Sequence, residues 1–300
     1  MLAEVMAALR PVPGGRYVDG TLGGGGHAAA ILDASAPTGW LLGCDCDGAA
    51  LEAARERLSE FGARCELRRG NFSELDEWLE PESCDGVLLD LGVSSPQLDQ
   101  PERGFSFQQD GPLDMRMDTR RPLTAASLVN DSGVDELARI FRELGEEPKA
   151  RRLARAMADE RRLRRFESTR QLASFIERVA PRRGARLHPA TRVFQALRMA
   201  VNDEPGSLRR GLEAALSVLR PAGRLAVITF HSGEVRAVKQ FGREHSRGYV
   251  TTGEIDVPEF RLATAPRMRW VQRKAMLPDA DEIDANPRAR SAQLRIMEKI

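Results

Sequence analysis

The stretch Tyr17-Val18-Asp19-Gly20-Thr21-Leu22-Gly23-Gly24-Gly25-Gly26-His27 leaves an apolar strand on an acid, turns through five glycines in seven residues, and enters a helical pattern. Glycine is needed where the backbone takes positive φ or must lie against a ligand with no Cβ between, and a plain strand-to-helix loop needs fewer. The feature therefore demands a ligand-binding turn at the head of a parallel βαβ unit. The next strand, Gly39 to Asp45, ends on an acid about twenty residues past the glycines, where such a unit brings a carboxylate to a ribose diol. Asp45 is the expected ribose ligand. Asp19 speaks against a dinucleotide, because a pyrophosphate pressed on that turn would meet like charge. S-adenosyl-L-methionine fits better, since it has no phosphate and presents a sulfonium and an ammonium; Asp19 as an ordinary strand-end turn residue stays open.

Periodicity extends the pattern. Strands are predicted over 16–19, 39–45, 64–69 and 86–91, with helices over 26–33, 47–60 and 73–80 between them. Prolines and glycines from Pro96 to Pro122 then break the alternation, and amphipathic helices follow at 124–130, 133–144, 148–163 and 168–179. Helices at 190–202 and 205–219, a strand at 223–229, a helix at 233–244 and strands near 267–274 and 292–298 restore it. The simplest reconciliation is a doubly wound α/β domain with a helical insertion after the fourth strand, overhanging the strand ends where ligands bind.

With 42% hydrophobic residues, 300 residues can bury one large core or one core and a smaller domain. No apolar run approaches the ~20 residues of a membrane span, and Met1 to Arg10 lacks the features of a signal peptide, so a cytoplasmic protein is expected. Cys44, Cys46, Cys65 and Cys84 lie in or beside strands without metal or redox spacing and are expected to be reduced and buried. The four histidines are scattered, and no metal is expected. Net charge is only +1, but Arg139 to Arg186 carries fifteen basic residues against seven acids. Clustered arginine supplies bidentate phosphate contacts and the salt-dependent part of nucleic-acid affinity. Solvated helix faces in an arginine-biased chain remain the alternative.

Longer motifs identify a family. The chain reads Asp90-Leu91-Gly92-Val93-Ser94-Ser95-Pro96-Gln97-Leu98-Asp99, then Arg103-Gly104-Phe105-Ser106-Phe107 and Gly111-Pro112-Leu113-Asp114-Met115-Arg116-Met117-Asp118. Further on come His188-Pro189-Ala190-Thr191-Arg192, Phe194-Gln195-Ala196-Leu197-Arg198, Phe230-His231-Ser232 and Asn286-Pro287-Arg288-Ala289-Arg290-Ser291. Over nearly its whole length the chain resembles the bacterial 16S ribosomal RNA cytosine-N4 methyltransferases, the ribosomal RNA small subunit methyltransferase H family.

The resemblance implies a Rossmann-like class I S-adenosylmethionine-dependent methyltransferase with a mostly parallel seven-stranded sheet and an all-helical domain inserted after strand 4. The methyltransferase domain would comprise 1–102 and 188–300, and the insertion, 103–187, would recognise RNA. The substrate would be a cytosine amine in the decoding region of 16S rRNA in the small ribosomal subunit; a homodimer is left open. Cofactor positions implied by the family are Gly25, Gly26, His27, Asp45, Phe72, Asp90 and Gln97, to which the residue reading adds Asp19. Phe72 could cover the purine face or belong to the core. Members usually begin with a few more residues, so Met1 reads as a shortened start. They also commonly carry Leu and Asp where this chain has Gly233 and Val235, and an aromatic and Arg where it has Leu22-Gly23-Gly24.

Methyl transfer from a sulfonium is an in-line displacement that calls for positioning rather than a metal. Carbon-5 methylation of a pyrimidine needs a cysteine nucleophile, and none follows the fourth or fifth strand. Ribose methylation generally wants a lysine base, and only Lys239 is near. Nitrogen methylation remains. The Asp/Asn-Pro-Pro-aromatic motif of many amino-methyltransferases is missing; Ser94, Ser95, Asp114, Asp118 and His231 are candidate acceptors or proton exits, with Asp114 preferred and turn capping its alternative. Phe105 and Phe107 could stack a flipped cytosine or pack against the insertion. Arg103, Arg116, Arg192, Arg198, Arg288 and Arg290 are candidate phosphate contacts or structural ion pairs. Two other classes compete: a nucleotide-dependent oxidoreductase of NAD type, and a non-catalytic RNA-binding assembly factor.

Overall fold

A computed structural model describes residues 1–181, 188–252 and 257–300. Arg182, Arg183 and Arg186 of the basic stretch lie outside the described residues. The chain divides into two compact units, Met1–Gly92 with Pro205–Ile300, and Val93–Glu204.

In the first unit, helix α1 (Leu2–Leu9) leads into β1 (Arg16–Asp19), α2 (Gly26–Ala34), β2 (Trp40–Asp45), α3 (Gly48–Arg57), β3 (Cys65–Arg69), the short α4 (Leu75–Trp78) and β4 (Cys84–Asp90). The second unit holds α5 (Ser95–Asp99), α6 (Ala125–Asp131), α7 (Val134–Glu143), α8 (Ala150–Leu163), α9 (Thr169–Val179) and α10 (Ala190–Asn202). The chain returns to the first unit through α11 (Glu204–Val218), β5 (Leu219–Thr229), α12 (Ser232–Ser246), a separate hairpin β6 (Tyr249–Thr251) and β7 (Arg261–Ala263), β8 (Met268–Trp270), α13 (Ala280–Ala285) and β9 (Gln293–Lys299).

The sheet runs β3-β2-β1-β4-β5-β9-β8, parallel from β3 to β5, with β9 antiparallel to both neighbours. Strands covered on both faces alternate their side chains between two cores. Val87 and Leu89 of β4 and Leu225 and Val227 of β5 pack with Leu212 and Leu216 of α11 and Val238 of α12. Leu88, Ala226 and Ile228 point the other way, to Val5 of α1, Ile31 of α2 and Leu51 of α3. This is the seven-stranded, mostly parallel α/β sheet expected.

The boundaries between units differ from those expected. They fall at Gly92/Val93 and Glu204/Pro205 rather than at 102/103 and 187/188. The reason is α10: Val193, Phe194, Leu197 and Val201 share one core with Leu137 and Phe141 of α7, Leu153 and Met157 of α8 and Leu172 and Ile176 of α9. A helix whose apolar face is buried among insertion helices belongs to the insertion. Cys44 and Cys84 are buried as expected, whereas Cys46 and Cys65 are half-buried, and all four are unbridged. No helix among the described residues is long and apolar enough to cross a membrane.

Candidate cofactor site

The glycine turn is tied to the sheet at both shoulders. The Gly20 N–H donates to Leu88 O (2.9 Å) and the Leu22 N–H to Cys44 O (3.0 Å), so the turn sits astride the carboxyl ends of β1, β2 and β4. Gly23 and Gly25 take φ of 50° and 76°, the left-handed region that a side chain resists. At Gly24 a Cβ would meet nothing within 4 Å, so open space lies over the turn where α2 begins. Asp45 closes the turn: its Oδ2 accepts from the Gly23 N–H (2.9 Å) and its Oδ1 from the Asp47 N–H (2.9 Å). Burial still pushes its carboxyl up. The residue expected to hold a ribose thus also shapes the turn.

Three titratable groups meet beside it. Asp19, 1% exposed at the end of β1, accepts from the Thr21 N–H through Oδ1 (3.2 Å), while its Oδ2 has no hydrogen-bond partner. His27, in the first turn of α2, faces Asp90 at the end of β4 with Nε2 3.5 Å from Oδ2. His27 Nδ1 and Asp90 Oδ1 are likewise buried and without a hydrogen-bond partner. Burial raises Asp19 to about 6, against the opposing pull of His27 and the Thr21 N–H. For His27 burial works against protonation, but the Asp90 bond and the Asp19 charge outweigh it and raise its pKa.

Unpaired buried polar atoms are costly, and three of them converging at one set of strand tips mark a place that a ligand completes. Carboxylates at Asp19, Asp45 and Asp90 suit a cationic ligand with a diol and repel a pyrophosphate. The donor set fits S-adenosylmethionine. Thr21 was not anticipated: its Oγ1 accepts from the Asp90 N–H at 2.6 Å, joining the tips of β1 and β4. Its position two residues past a strand-end acid was the available sign. Phe72 is half-buried, and a Cβ at Gly211 of α11 would come within 2.2 Å of its ring, so this ring edge packs on the core.

Most of the other candidates are committed elsewhere. In the second unit Ser94 and Gln97 form the capping box of α5, Gln97 being 6% exposed, and Ser95 is exposed at the start of that helix. Asp114 is clamped by Arg116, Nε to Oδ1 at 2.8 Å and Nη2 to Oδ2 at 2.7 Å, and its Oδ1 also accepts the Arg116 N–H at 3.0 Å. Burial opposes ionisation there, but Arg116 wins and holds Asp114 below the ordinary carboxylate range, which makes it a poor base. Turn capping is its observed role. Asp118 likewise caps its own turn, paired with Arg120.

Phe105 is 7% exposed in the helical core and so is not a stacking platform; Phe107 packs edge-on to Phe194. Arg103 donates to Arg116 O (2.9 Å), Arg116 also binds Thr119 O and Arg121 O, and Arg198 forms a two-pronged pair with Glu204 at 2.7 Å. These three arginines brace the backbone or an acid. Arg192 donates to Glu146 O (3.1 Å) from an exposed position. Back in the first unit, Arg288 and Arg290 stand exposed on the turn before β9. His231 caps α12: its Nδ1 accepts from the Glu234 N–H (3.4 Å), and Glu234 Oε2 accepts from the Phe230 N–H (2.7 Å). Glu234 completes this capping box between Gly233 and Val235.

The sequence matches the MraW methylase family over residues 1–300. The chain belongs to that family. Family membership makes it an S-adenosylmethionine-dependent methylase, the cofactor the strand tips fit. It is 53% identical over 306 residues to a protein of Geobacter sulfurreducens named ribosomal RNA small subunit methyltransferase H, covering 100% of this chain and 97% of that one. A protein of the same name from Syntrophotalea carbinolica is 50% identical over 305 residues, covering 100% and 96%. Among solved structures, an rRNA methylase from Streptococcus thermophilus superposes with a TM-score of 0.44 at 13% identity, over 98% of this chain and 92% of that one. That likeness is too loose to bear on function.

Proposed function

We propose that the protein transfers the methyl group of S-adenosylmethionine to the exocyclic N4 amine of one cytosine in the decoding region of 16S rRNA, acting on the small ribosomal subunit in the cytoplasm. The observation that carries the reading is the convergence of Asp19, His27 and Asp90 at the tips of β1 and β4 in a chain that matches a methylase family end to end. The substrate class is supported by the name shared by relatives about half identical to this chain over its full length.

The bound cofactor supplies an electrophilic methyl on a cationic sulfur. Asp19 and Asp90 give that end of the pocket its negative potential, Asp45 faces the ribose edge, and the turn glycines admit the cofactor's backbone-facing side. Nitrogen is favoured as acceptor by what the cysteines do. Cys84 and Cys65 start β4 and β3, at the far ends of those strands, burial pushes the Cys44 thiol well up and Cys65 to about 11, and Cys46 Sγ is turned onto Gly70 O at 3.5 Å, so none is placed as a carbon-5 nucleophile. The amine sheds its proton after the new C–N bond has made it cationic and strongly acidic, so a weak acceptor suffices.

The test is transfer of tritium from labelled S-adenosylmethionine to small subunits from a strain lacking the enzyme, followed by digestion to nucleosides. Label in N4-methylcytidine is expected; label in 5-methylcytidine or a ribose-methylated nucleoside, or none, refutes the assignment. NAD binding without S-adenosylhomocysteine binding in calorimetry would instead favour the oxidoreductase.

A further inference from the structure

One buried cation of the first unit is left without a partner. Arg295 of β9 is 8% exposed, and its Nε is sealed from solvent with nothing to donate to. Among the described residues its guanidinium has no hydrogen-bond or ion-pair partner at all. Burial draws its pKa down, and no acid stands by to draw it back. Across the ladder it is in register with Val227 of β5, which packs under α11 and α12. An aliphatic residue would suit such a place, because a buried guanidinium with no carboxylate opposite is among the costliest groups a fold can keep. Its Nη nitrogens are not sealed as Nε is, so the head of the side chain is open to an anion arriving from solvent.

The edge of the sheet steps aside at this residue. Trp270 of β8 pairs with Met297 and the Val271 N–H donates to Ile296 O (3.1 Å), but the chain regains β9 only at Met276, which bridges Leu294. Gln272 to Ala275 therefore loop out opposite a single residue, Arg295. The loop carries Arg273 and Lys274, both exposed and neither held by a side-chain hydrogen bond or ion pair among the described residues. The acids between Asp279 and Asp284, in and before α13, form no ion pair with any of the three cations. Register also fixes where the loop stands. Asp90 at the end of β4 is opposite Ile228 of β5, Ile228 is opposite Leu294 of β9, and Leu294 is opposite Met276. One row across the sheet thus joins the cofactor acids to the loop, three strand spacings or about 14 Å away.

We infer that Arg295, Arg273 and Lys274 form a phosphate-holding edge for the substrate RNA, a few nucleotides along the strand from the cytosine that is methylated. The inference rests on the reading of RNA as substrate. A guanidinium already stripped of water presents its fork to a phosphate at little further cost, and the two exposed cations above it supply the salt-dependent attraction. The test is fluorescence anisotropy of the full-length protein with a labelled twelve-nucleotide single-stranded RNA containing cytosine, over a range of salt. The variants are Arg295→Met and the surface pair Arg273→Ala with Lys274→Ala; calorimetry with S-adenosylhomocysteine and thermal unfolding run alongside.

Arg295→Met should weaken RNA binding about tenfold and flatten the log–log salt slope by about 0.7, while its thermal midpoint holds or rises, since the buried charge is gone. The surface pair should flatten the slope by about 1.4, and S-adenosylhomocysteine affinity should hold throughout. Unchanged RNA affinity and slope in the surface pair, or a lowered midpoint in Arg295→Met with RNA affinity intact, overturns the inference alone. A wild-type protein that binds S-adenosylhomocysteine but no RNA overturns it together with the reading beneath it. Displacement of the labelled RNA by polyglutamate as readily as by polyuridine of equal charge overturns RNA as the occupant, leaving a face for acidic chains in general.

Discussion

Asp19→Asn should gain stability relative to the wild type as the pH rises, while weakening its hold on the cofactor. Burial raises the Asp19 carboxyl from 3.8 to about 6, so above pH 6 the folded protein keeps a charge that the unfolded chain carries more cheaply. Between 3.8 and 6 the native state binds more protons than the unfolded one, and stability falls as pH rises. A gap of about two pH units at 1.36 kcal/mol each makes the full penalty about 3 kcal/mol, reached by pH 7.5; at pH 4.5 it is only about 1 kcal/mol. The amide removes the ionisation but leaves its own unpaired nitrogen, at a cost of about 1–3 kcal/mol that does not vary with pH. The difference between variant and wild type should therefore move in the variant's favour by about 2 kcal/mol from pH 4.5 to pH 7.5, whatever its absolute value.

Urea unfolding followed by tryptophan fluorescence reads the right part of the molecule, because Trp40, Trp78 and Trp270 all lie in the unit that contains Asp19. Binding carries the opposite sign. A cationic cofactor prefers ionised Asp19, so wild-type affinity should climb with pH through about 6, a step that the variant lacks. His27, its pKa raised, loses its proton at higher pH and adds to the climb rather than opposing it. A stability difference that is constant across the pH range would show that Asp19 titrates in the folded protein as it does in the unfolded chain, and the buried-charge account of the pocket would fall.

Thr21→Val removes the acceptor held by the Asp90 N–H and should lower S-adenosylhomocysteine affinity about tenfold, with Thr21→Ser restoring most of it, both read by calorimetry. Asp114→Asn breaks the two-pronged Arg116 clamp and should cost about 1–2 kcal/mol in urea unfolding, yet leave the pH profile of methyl transfer unmoved; a profile that lost a limb would restore Asp114 as the base. Phe105→Ala should cost about 3–5 kcal/mol of stability, as removal of a core ring does, seen as a lower thermal midpoint. Replacing Arg152, Arg155 and Arg164, exposed on or just past α8, should flatten the salt dependence of RNA binding while leaving S-adenosylhomocysteine affinity intact.

The placement of the glycine turn and of Asp19 and Asp45 was legible because its features are local. A glycine turn, a strand-end acid and a second acid one βα unit later are set by short spacing, and parallel strand order does the rest. Strands with both faces buried are short apolar runs between turns, so β1 to β4 were placed within about two residues. What escaped was decided by neighbours distant in sequence. The apolar face of α10 is equally compatible with sheet or helices, and only the packing of Phe194 and Leu197 against α7 assigns it. Arg103, Arg116 and Arg198 have the composition of phosphate ligands but the partners of struts, because a guanidinium binds a carbonyl as readily as a phosphate. Phe72 and Phe105 show the same ambiguity in aromatic rings, whose residue type suits both core and stack.

Asp19 and Asp114 are both carboxylates in turns, yet one was left short of partners and the other saturated. Asp114 sits beside an arginine two residues on, and the turn itself supplies the backbone N–H that completes it. Asp19 is followed by Gly20 and Thr21, which offer one N–H and no cation, and the strand behind it is sealed by Val18 and Leu89. A fold under pressure only for stability would not keep an acid there, since asparagine or serine would cap the same turn without the charge. The presence of Asp19, with His27 and Asp90 also lacking one partner each, therefore favours a ligand that brings positive charge. The same logic separates the two acids: Asp114, its bonds complete in the free protein, holds its own turn, whereas Asp19, with an oxygen to spare, is the one that a cationic ligand would complete.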